Sequence, residues 1–117
     1  MAANKVDSPQ WVTKSSQIRS ARKEGIFLRG EHLFAWVSEE SGVEKDPPVV
    51  GIVIRRGFKR AVDRNLMRRR LRGCIMEVRD LLKPGGVYLI ECKPGAETID
   101  YQKLVKEVRS LVSREIT

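Results

Sequence analysis

The sequence predicts a mixed α/β domain whose elements follow the order α-β-β-α-β-α. Short apolar stretches rich in β-branched residues lie between turn formers, as strands do, and two longer segments repeat apolar residues with helical spacing. The chain has 117 residues, which is the length of one domain. We therefore predict a flexible N-terminal tail over residues 1–12 and a single domain over residues 13–117.

The first helix is predicted over residues 13–24 and ends at Gly25. Its apolar positions are few, namely Ile18 and Ala21, which lie three residues apart and therefore on one side. We expect this helix to pack on the rest of the domain through a small contact area.

The next segment, residues 26–38, predicts strand structure with a bend at Gly30, which allows a further short strand over residues 26–29. From residue 31 onward, the alternation sorts the side chains onto two faces. One face carries Leu33, Ala35 and Val37, and the other carries His32, Phe34 and Trp36. The residues alone leave two alternatives open. The aromatic face is either part of the core or an exposed platform on which single-stranded nucleic acid stacks.

The second half of the domain contains two strands and two helices. Residues 39–48 read as an acidic hairpin loop, and the β-branched run over 49–55 predicts a strand buried on both faces. The longest helical pattern covers residues 61–83 and stops at a Pro-Gly-Gly turn. A strand over 87–93 and an amphipathic helix from residue 98 or 100 to the end complete the order.

Positive charge is concentrated in one segment. Residues 55–72 contain nine basic residues and one acid, so this segment has a net charge of +8, equal to that of the whole chain. The rest of the chain is therefore neutral. Such a localised field is typical of a surface that binds a polyanion. The alternative, an ordinary solvated helix face, usually mixes charges of both signs.

Four of these basic residues share a helical spacing of four and form a stripe: Arg60, Arg64, Arg68 and Arg72. Asn65 and Arg69 lie beside the stripe, and Arg55, Arg56 and Lys59 precede it. Arginine pairs bidentately with phosphate and stacks on bases, which favours RNA as the polyanion. A membrane surface is disfavoured, because the apolar side of this helix is needed to cover the strands.

No catalytic or metal-binding pattern is found. The chain has a single histidine, its aspartates lack metal-ligand spacing, and no phosphate-loop motif follows the Pro-Gly-Gly turn. Cys74 and Cys92 lie 18 residues apart and predict reduced, half-buried thiols of a cytosolic protein. We expect a nucleic-acid-binding module without a catalytic centre of its own, located in the cytoplasm.

The segment "AVDRNLMRR" over residues 61–69 resembles the R-N-R signature of the protein subunit of bacterial ribonuclease P. The Arg64-Asn65 pair and the basic residues at 68 and 69 follow an apolar strand and a basic turn, as they do in that family. Chain length, order of elements and positive charge agree as well. Two departures are that Lys59 stands where the family often has a glycine, and that the first helix lacks the family's aromatic residues.

The resemblance implies a two-layer sandwich with a central mixed sheet of about four strands and a left-handed βαβ crossover. It also implies an RNA-binding subunit that binds the catalytic RNA of ribonuclease P and the 5′ leader of precursor tRNA. Hydrolysis would occur in the RNA with Mg²⁺, no cofactor would bind the protein alone, and one protein would bind each RNA. The positions implied for the leader cleft are Ile18, Arg22, Phe34 and Trp36.

Two other functions remain as alternatives. A non-enzymatic RNA-binding or ribosome-associated module would share the charge pattern but would not prefer precursor tRNA over mature tRNA. A free-standing nuclease would cleave RNA without an RNA subunit, and the lack of clustered carboxylates argues against it.

Overall fold

The computed structural model of the chain describes residues 8–39 and 47–113. Its strands are β1 (Gln10–Val12), β2 (Ile26–Arg29), β3 (Leu33–Glu39), β4 (Val49–Ile54) and β5 (Gly86–Cys92). Its helices are α1 (Ser15–Glu24), α2 (Ala61–Glu77) and α3 (Tyr101–Ser113), and single 3₁₀ turns cover Arg79–Leu81 and Ala96–Thr98. The predicted mixed fold is confirmed, with five strands in the described residues where about four were expected.

The five strands form one mixed sheet in the order β1-β4-β5-β3-β2. Strand β5 lies between β3 and β4, so the prediction of a hairpin across residues 39–48 is wrong, and residues 40–46 of that connection lie outside the described residues. The pairs β1–β4 and β4–β5 are parallel, whereas β5–β3 and β3–β2 are antiparallel. The parallel neighbours β4 and β5 are joined through α2, which makes a βαβ unit. The left hand of this crossover stays a prediction of the family resemblance.

Strand β1 corrects the prediction of a tail over residues 1–12. Residues 10–12 pair in parallel with β4, with Trp11 opposite Val50. Three residues are too few to show an alternation in the sequence, and the strand exists because β4 offers it a free edge. Residues 1–7 of the predicted tail lie outside the described residues.

The core lies between one face of the sheet and the helices α2 and α3. Leu33 and Ala35 of β3, Ile90 of β5, Leu71 of α2 and Leu104 of α3 are all 0% exposed. Therefore the face of β3 that carries Leu33 belongs to this core. Phe34 and Trp36 lie on the opposite face of the sheet.

Helix α1 covers part of that opposite face and contacts β3 and β5. All ten of its residues are described, and none of them is buried. The prediction of a helix with a small contact area is confirmed. The sheet face beside α1 is therefore left open to a ligand.

Helix α2 is shorter than predicted, because it ends at Glu77 and a 3₁₀ turn follows. The Arg79 Nη1 atom donates a hydrogen bond of 2.7 Å to the carbonyl oxygen of Met76, which satisfies one of the terminal carbonyls. Gly73 in the helix interior allows a close approach, since a β-carbon at this residue would lie 2.7 Å from the hydroxyl oxygen of Tyr101 on α3.

Both cysteines are free, as predicted, but they are fully buried and not half-buried. Burial raises the pKa of Cys74 to about 12 and the pKa of Cys92 to about 12. Since the thiolate is the reactive form, neither side chain is suited to act as a nucleophile or metal ligand near neutral pH.

Candidate nucleic-acid interface

Two surfaces of the molecule are candidates for binding RNA. The first, called the basic surface here, consists of α2 side chains and of residues that precede α2. Each of its members is exposed to solvent: Arg56, Lys59, Arg60, Arg64, Asn65, Arg68, Arg69 and Arg72. Exposed guanidinium groups on one helix can meet successive phosphates without disturbing the packing of the core.

Arg60 lies at the N-cap of α2 rather than within the helix. Its Nε and Nη2 atoms each donate a 3.0 Å hydrogen bond to the carboxylate of Asp63, and this hydrogen bond raises the pKa of Arg60. Asp63 is 7% exposed and also stabilises the positive end of the helix dipole. The predicted stripe of four therefore consists of three helical arginines and one partly neutralised arginine at the helix start.

The basic surface reaches the edge of the sheet at Arg72. Its guanidinium carbon lies 5.0 Å from the ring centroid of Trp11 on β1, within the range of a cation–π contact. Strand β1 pairs with β4 only as far as Gly51, and beyond that point a groove of about 320 Å³ opens. Arg68, Arg72 and Ile52 are among its lining residues, so the groove is apolar on one side and cationic on the other.

Arg70 belongs to the charged segment but not to the basic surface. It is half-buried, and its Nη1 atom donates a 2.9 Å hydrogen bond to the carbonyl oxygen of Ile99. This contact ties α2 to the turn before α3. One of the nine basic residues of the segment therefore serves the fold.

The second surface, called the aromatic cleft here, is the open sheet face beside α1. Three aromatic rings form its centre. The Phe27 ring lies 5.4 Å from the Phe34 ring and 5.1 Å from the Trp36 ring, in both cases tilted by nearly 50°. Phe27 is 48% exposed, so the group presents an aromatic surface to solvent. Exposed rings of this kind stack on unpaired bases.

Four cations surround these rings. The Arg22 guanidinium on α1 lies 5.1 Å from the Trp36 ring centroid. The Phe34 ring has Arg29, Arg55 and Lys93 at 5.7, 5.5 and 4.7 Å respectively. Phe34 is consequently only 8% exposed, and the charges above it face the solvent. The cleft thus combines stacking surfaces with groups that bind phosphate.

One acid completes the aromatic cleft. Glu91 of β5 lies opposite Phe34 in the sheet register and is 8% exposed. Its Oε2 atom is 3.7 Å from Arg55 Nε and 4.0 Å from Arg22 Nη2. The acid therefore lies between the two arginines that flank the cleft.

The model of the Ribonuclease P family matches residues 8–115, nearly the whole chain. The chain belongs to the ribonuclease P family. Members of this family are protein components of ribonuclease P, a tRNA-processing endoribonuclease, so the chain is a subunit for tRNA 5′ maturation and has an RNA partner. The suspected family resemblance is confirmed, and the alternative of a ribosome-associated module is not supported.

Known relatives and solved structures agree with this assignment. The ribonuclease P protein component of Cyanothece sp. (strain PCC 7425 / ATCC 29141) is 37% identical over 107 residues, which cover 89% of this chain and 77% of the relative. The ribonuclease P protein of Thermotoga maritima has a similar fold, with a TM-score of 0.77 at 19% identity over 92% of this chain and 99% of that one. A Staphylococcus aureus ribonuclease P protein gives a TM-score of 0.76 at 12% identity, over 90% and 94% of the two chains.

The structure brings together three of the four residues that the family resemblance implies for the leader cleft. Arg22, Phe34 and Trp36 lie side by side in the aromatic cleft. Ile18 lies one turn earlier on α1 and lines a neighbouring cavity of about 270 Å³, next to Gly51 of β4. Arg55 was grouped with the basic surface from its place in the sequence, but the structure places it over Phe34 in the cleft.

Four cleft residues were missed from the sequence: Phe27, Arg29, Glu91 and Lys93. A signal existed for the first two, because antiparallel pairing of β2 with β3 puts Phe27 opposite Trp36 and Arg29 opposite Phe34. Glu91 and Lys93 follow only from the position of β5 beside β3, which the order of elements along the chain does not reveal.

The prediction that His32 shares the aromatic face is wrong. His32 precedes β3 and lies in the turn after β2, where Glu107 of α3 binds it. Glu107 Oε2 accepts hydrogen bonds of 2.7 Å from the backbone N–H groups of His32 and Leu33, and Oε1 lies 3.0 Å from His32 Nδ1. The carboxylate therefore anchors the β2–β3 hairpin to α3.

Three residues at this end of the β2–β3 hairpin could hold a metal ion. Among the described residues, Glu31, His32 and Glu107 offer ligand atoms that all lie within 4.8 Å of one another. Oε2 of Glu107 already accepts two hydrogen bonds and Oε1 is next to His32 Nδ1, so a metal ion would compete with the contacts that anchor the hairpin. In the described part of the chain, no helix is long and apolar enough to cross a bilayer.

Replacing Glu107 by alanine is expected to lower the free energy of unfolding by about 2–3 kcal/mol, since two backbone donors lose a charged acceptor. Glu107→Gln should have a smaller effect, because an amide oxygen still accepts a hydrogen bond. Urea denaturation of the two variants measures the difference. Equal stability of Glu107→Ala and the unmodified protein would show that the anchor has no energetic role.

Proposed function

We propose that the chain binds the catalytic RNA of ribonuclease P through the basic surface and the 5′ leader of precursor tRNA in the aromatic cleft. The observation that carries this proposal is the difference between the two surfaces. The basic surface offers exposed arginines without rings at its centre, which suits the phosphates of a folded RNA. The cleft offers rings with cations beside them, which suits an unpaired strand.

The two surfaces adjoin each other along the chain. Arg55 follows β4 and lies over Phe34 in the cleft, while Arg56 is exposed and begins the basic surface. A precursor tRNA bound to the catalytic RNA could therefore place its leader in the cleft while the protein stays on that RNA. The simplest stoichiometry is one protein for each catalytic RNA. The proposed location of this complex is the cytoplasm.

The hydrolysis itself belongs to the RNA in this proposal, with Mg²⁺ supplied in the ribonucleoprotein. The described acids of the two surfaces are engaged with cations, Asp63 with Arg60 and Glu91 with Arg22 and Arg55. Such carboxylates are poorly placed to activate water on a metal pair. The chain's part is to bind and position the substrate, and to lower the Mg²⁺ concentration that the RNA requires by contributing positive charge.

The decisive experiment is reconstitution with a bacterial ribonuclease P RNA at low magnesium concentration. Cleavage of precursor tRNA at the leader junction is expected to be fast with both components and slow with the RNA alone. The protein alone should not cleave. Failure to stimulate the RNA would overturn the proposal, and metal-dependent cleavage by the isolated protein would instead indicate a free-standing nuclease.

A further inference from the structure

Glu91 is unusual among buried acids, which are normally hydrogen-bonded. Its two cationic neighbours both approach Oε2, Arg55 Nε at 3.7 Å and Arg22 Nη2 at 4.0 Å, and both distances exceed the length of a hydrogen bond. Within residues 8–39 and 47–113, Glu91 accepts no hydrogen bond from the protein, and its Oε1 atom is not among the buried atoms that lack a partner, so it faces solvent in the cleft. A carboxylate with unused acceptor capacity therefore lies at the floor of a cleft proposed to bind RNA.

The charge of Glu91 restricts which part of an RNA strand can approach it. A phosphate would be repelled by the carboxylate and attracted to the surrounding cations Arg22, Arg29, Arg55 and Lys93. A base that stacks on the neighbouring rings can instead turn its edge toward Glu91, provided that this edge carries hydrogen-bond donors. The floor of the cleft is thus suited to a base edge and its rim to phosphates.

The bases differ in what they offer a carboxylate. Guanine presents two adjacent donors, N1–H and N2–H, which match the two oxygens of a carboxylate. Uracil presents one N3–H between two carbonyl oxygens, and those oxygens would be repelled. Adenine and cytosine each offer one amino group beside a ring-nitrogen acceptor, so they are intermediate.

We propose that Glu91 is a specificity-determining residue of the aromatic cleft that favours guanine in the bound single strand. The carboxylate accepts hydrogen bonds from N1–H and N2–H of one unpaired guanine, whose ring stacks beside Trp36 and Phe27. Arg22 and Arg55 flank the carboxylate and hold it in place. This inference rests on the proposed function, because it requires a single strand in the cleft.

The test measures binding of the full-length protein to short single-stranded RNAs of six uridines in which one central residue is guanosine, inosine, adenosine or uridine. Guanosine should bind about tenfold more tightly than uridine, the size expected for one bidentate base contact. Inosine, which lacks the 2-amino group, should fall between them. Because the catalytic RNA is absent, the result is independent of the cleavage assay.

Glu91→Gln is the decisive variant, since it keeps the shape of the side chain but replaces one acceptor by a donor. Its affinity for the uridine RNA should rise, because a negative charge leaves the cleft, while the preference for guanosine should disappear. Glu91→Asp, which keeps the carboxylate, should retain part of the preference. Glu77→Gln is the matched control, because Glu77 is exposed on α2 on the other side of the sheet, and it should behave as the unmodified protein does.

Equal binding of the guanosine and uridine RNAs by the unmodified protein would overturn the inference, and so would an unchanged preference in Glu91→Gln. Absence of binding to every RNA would count against it as well, because the cleft would then not hold a strand. A protein that stimulates cleavage in reconstitution but shows no base preference would refute the role of Glu91 alone. A purely structural Glu91 would change stability without changing the ratio of the affinities.

Discussion

Replacing Arg68 and Arg69 together by alanine is expected to weaken binding to the catalytic RNA by about 10- to 100-fold, as the removal of two charged phosphate interactions predicts. Both side chains are exposed, so the core stays packed and the free energy of unfolding should change little. The slope of log affinity against log salt concentration should fall by up to about one ion for each arginine replaced. Filter binding at several salt concentrations measures both effects.

The control for this variant removes the same charge elsewhere. Lys106 and Arg109 are exposed on α3, which also carries Glu107, and their double replacement by alanine should leave the salt slope nearly unchanged. An unchanged slope in the variant of Arg68 and Arg69 would contradict direct phosphate binding by these arginines. A slope reduced equally in both variants would indicate that only total charge matters.

The second large effect is expected from Trp36→Leu. Loss of one stacked base costs about 1–3 kcal/mol, so affinity for precursor tRNA with its leader should fall roughly 5- to 100-fold. Affinity for mature tRNA, which has no leader, should stay the same. Leucine keeps an apolar side chain against α1, which limits the decrease in stability, and measurement of both affinities in the reconstituted holoenzyme gives the ratio.

Trp11→Leu is the matched control, because Trp11 is also half-buried but lies under Arg72 on the opposite face of the sheet. It should leave the ratio of precursor to mature tRNA affinity unchanged. If both tryptophan variants changed that ratio equally, the effect would reflect a general disruption of the structure and not the leader cleft.

The elements with a strong pattern were predictable from the sequence. The repeated apolar positions of α2 and α3 extend over 17 and 13 residues, which is long enough to show a helical period. Strand β4 was recognised by its short β-branched run between turn formers. The basic surface was predictable too, because the side chains of one helix are ordered by sequence spacing alone. Arg55 was the exception, since it precedes the helix and lies over Phe34 in the aromatic cleft.

The aromatic cleft was predictable only in part, because it is assembled across strands. The alternation in β3 identified Phe34 and Trp36, but the contributions of Lys93 and Glu91 require β5 to lie beside β3. Strand β1 was missed because three residues carry too little pattern to compete with the composition of a tail. In each case the missing information is a pairing between segments distant in the chain.

The absence of buried residues in α1 has a consequence for how the cleft is maintained. A helix held by so little apolar contact can detach from the sheet at a small fraction of the free energy of global unfolding. Its amide hydrogens should therefore exchange with solvent much faster than those of β5, which is paired on both sides. Since α1 carries Arg22, each detachment also removes one cation from the cleft, and a bound strand would slow the exchange of α1 by selecting the docked helix.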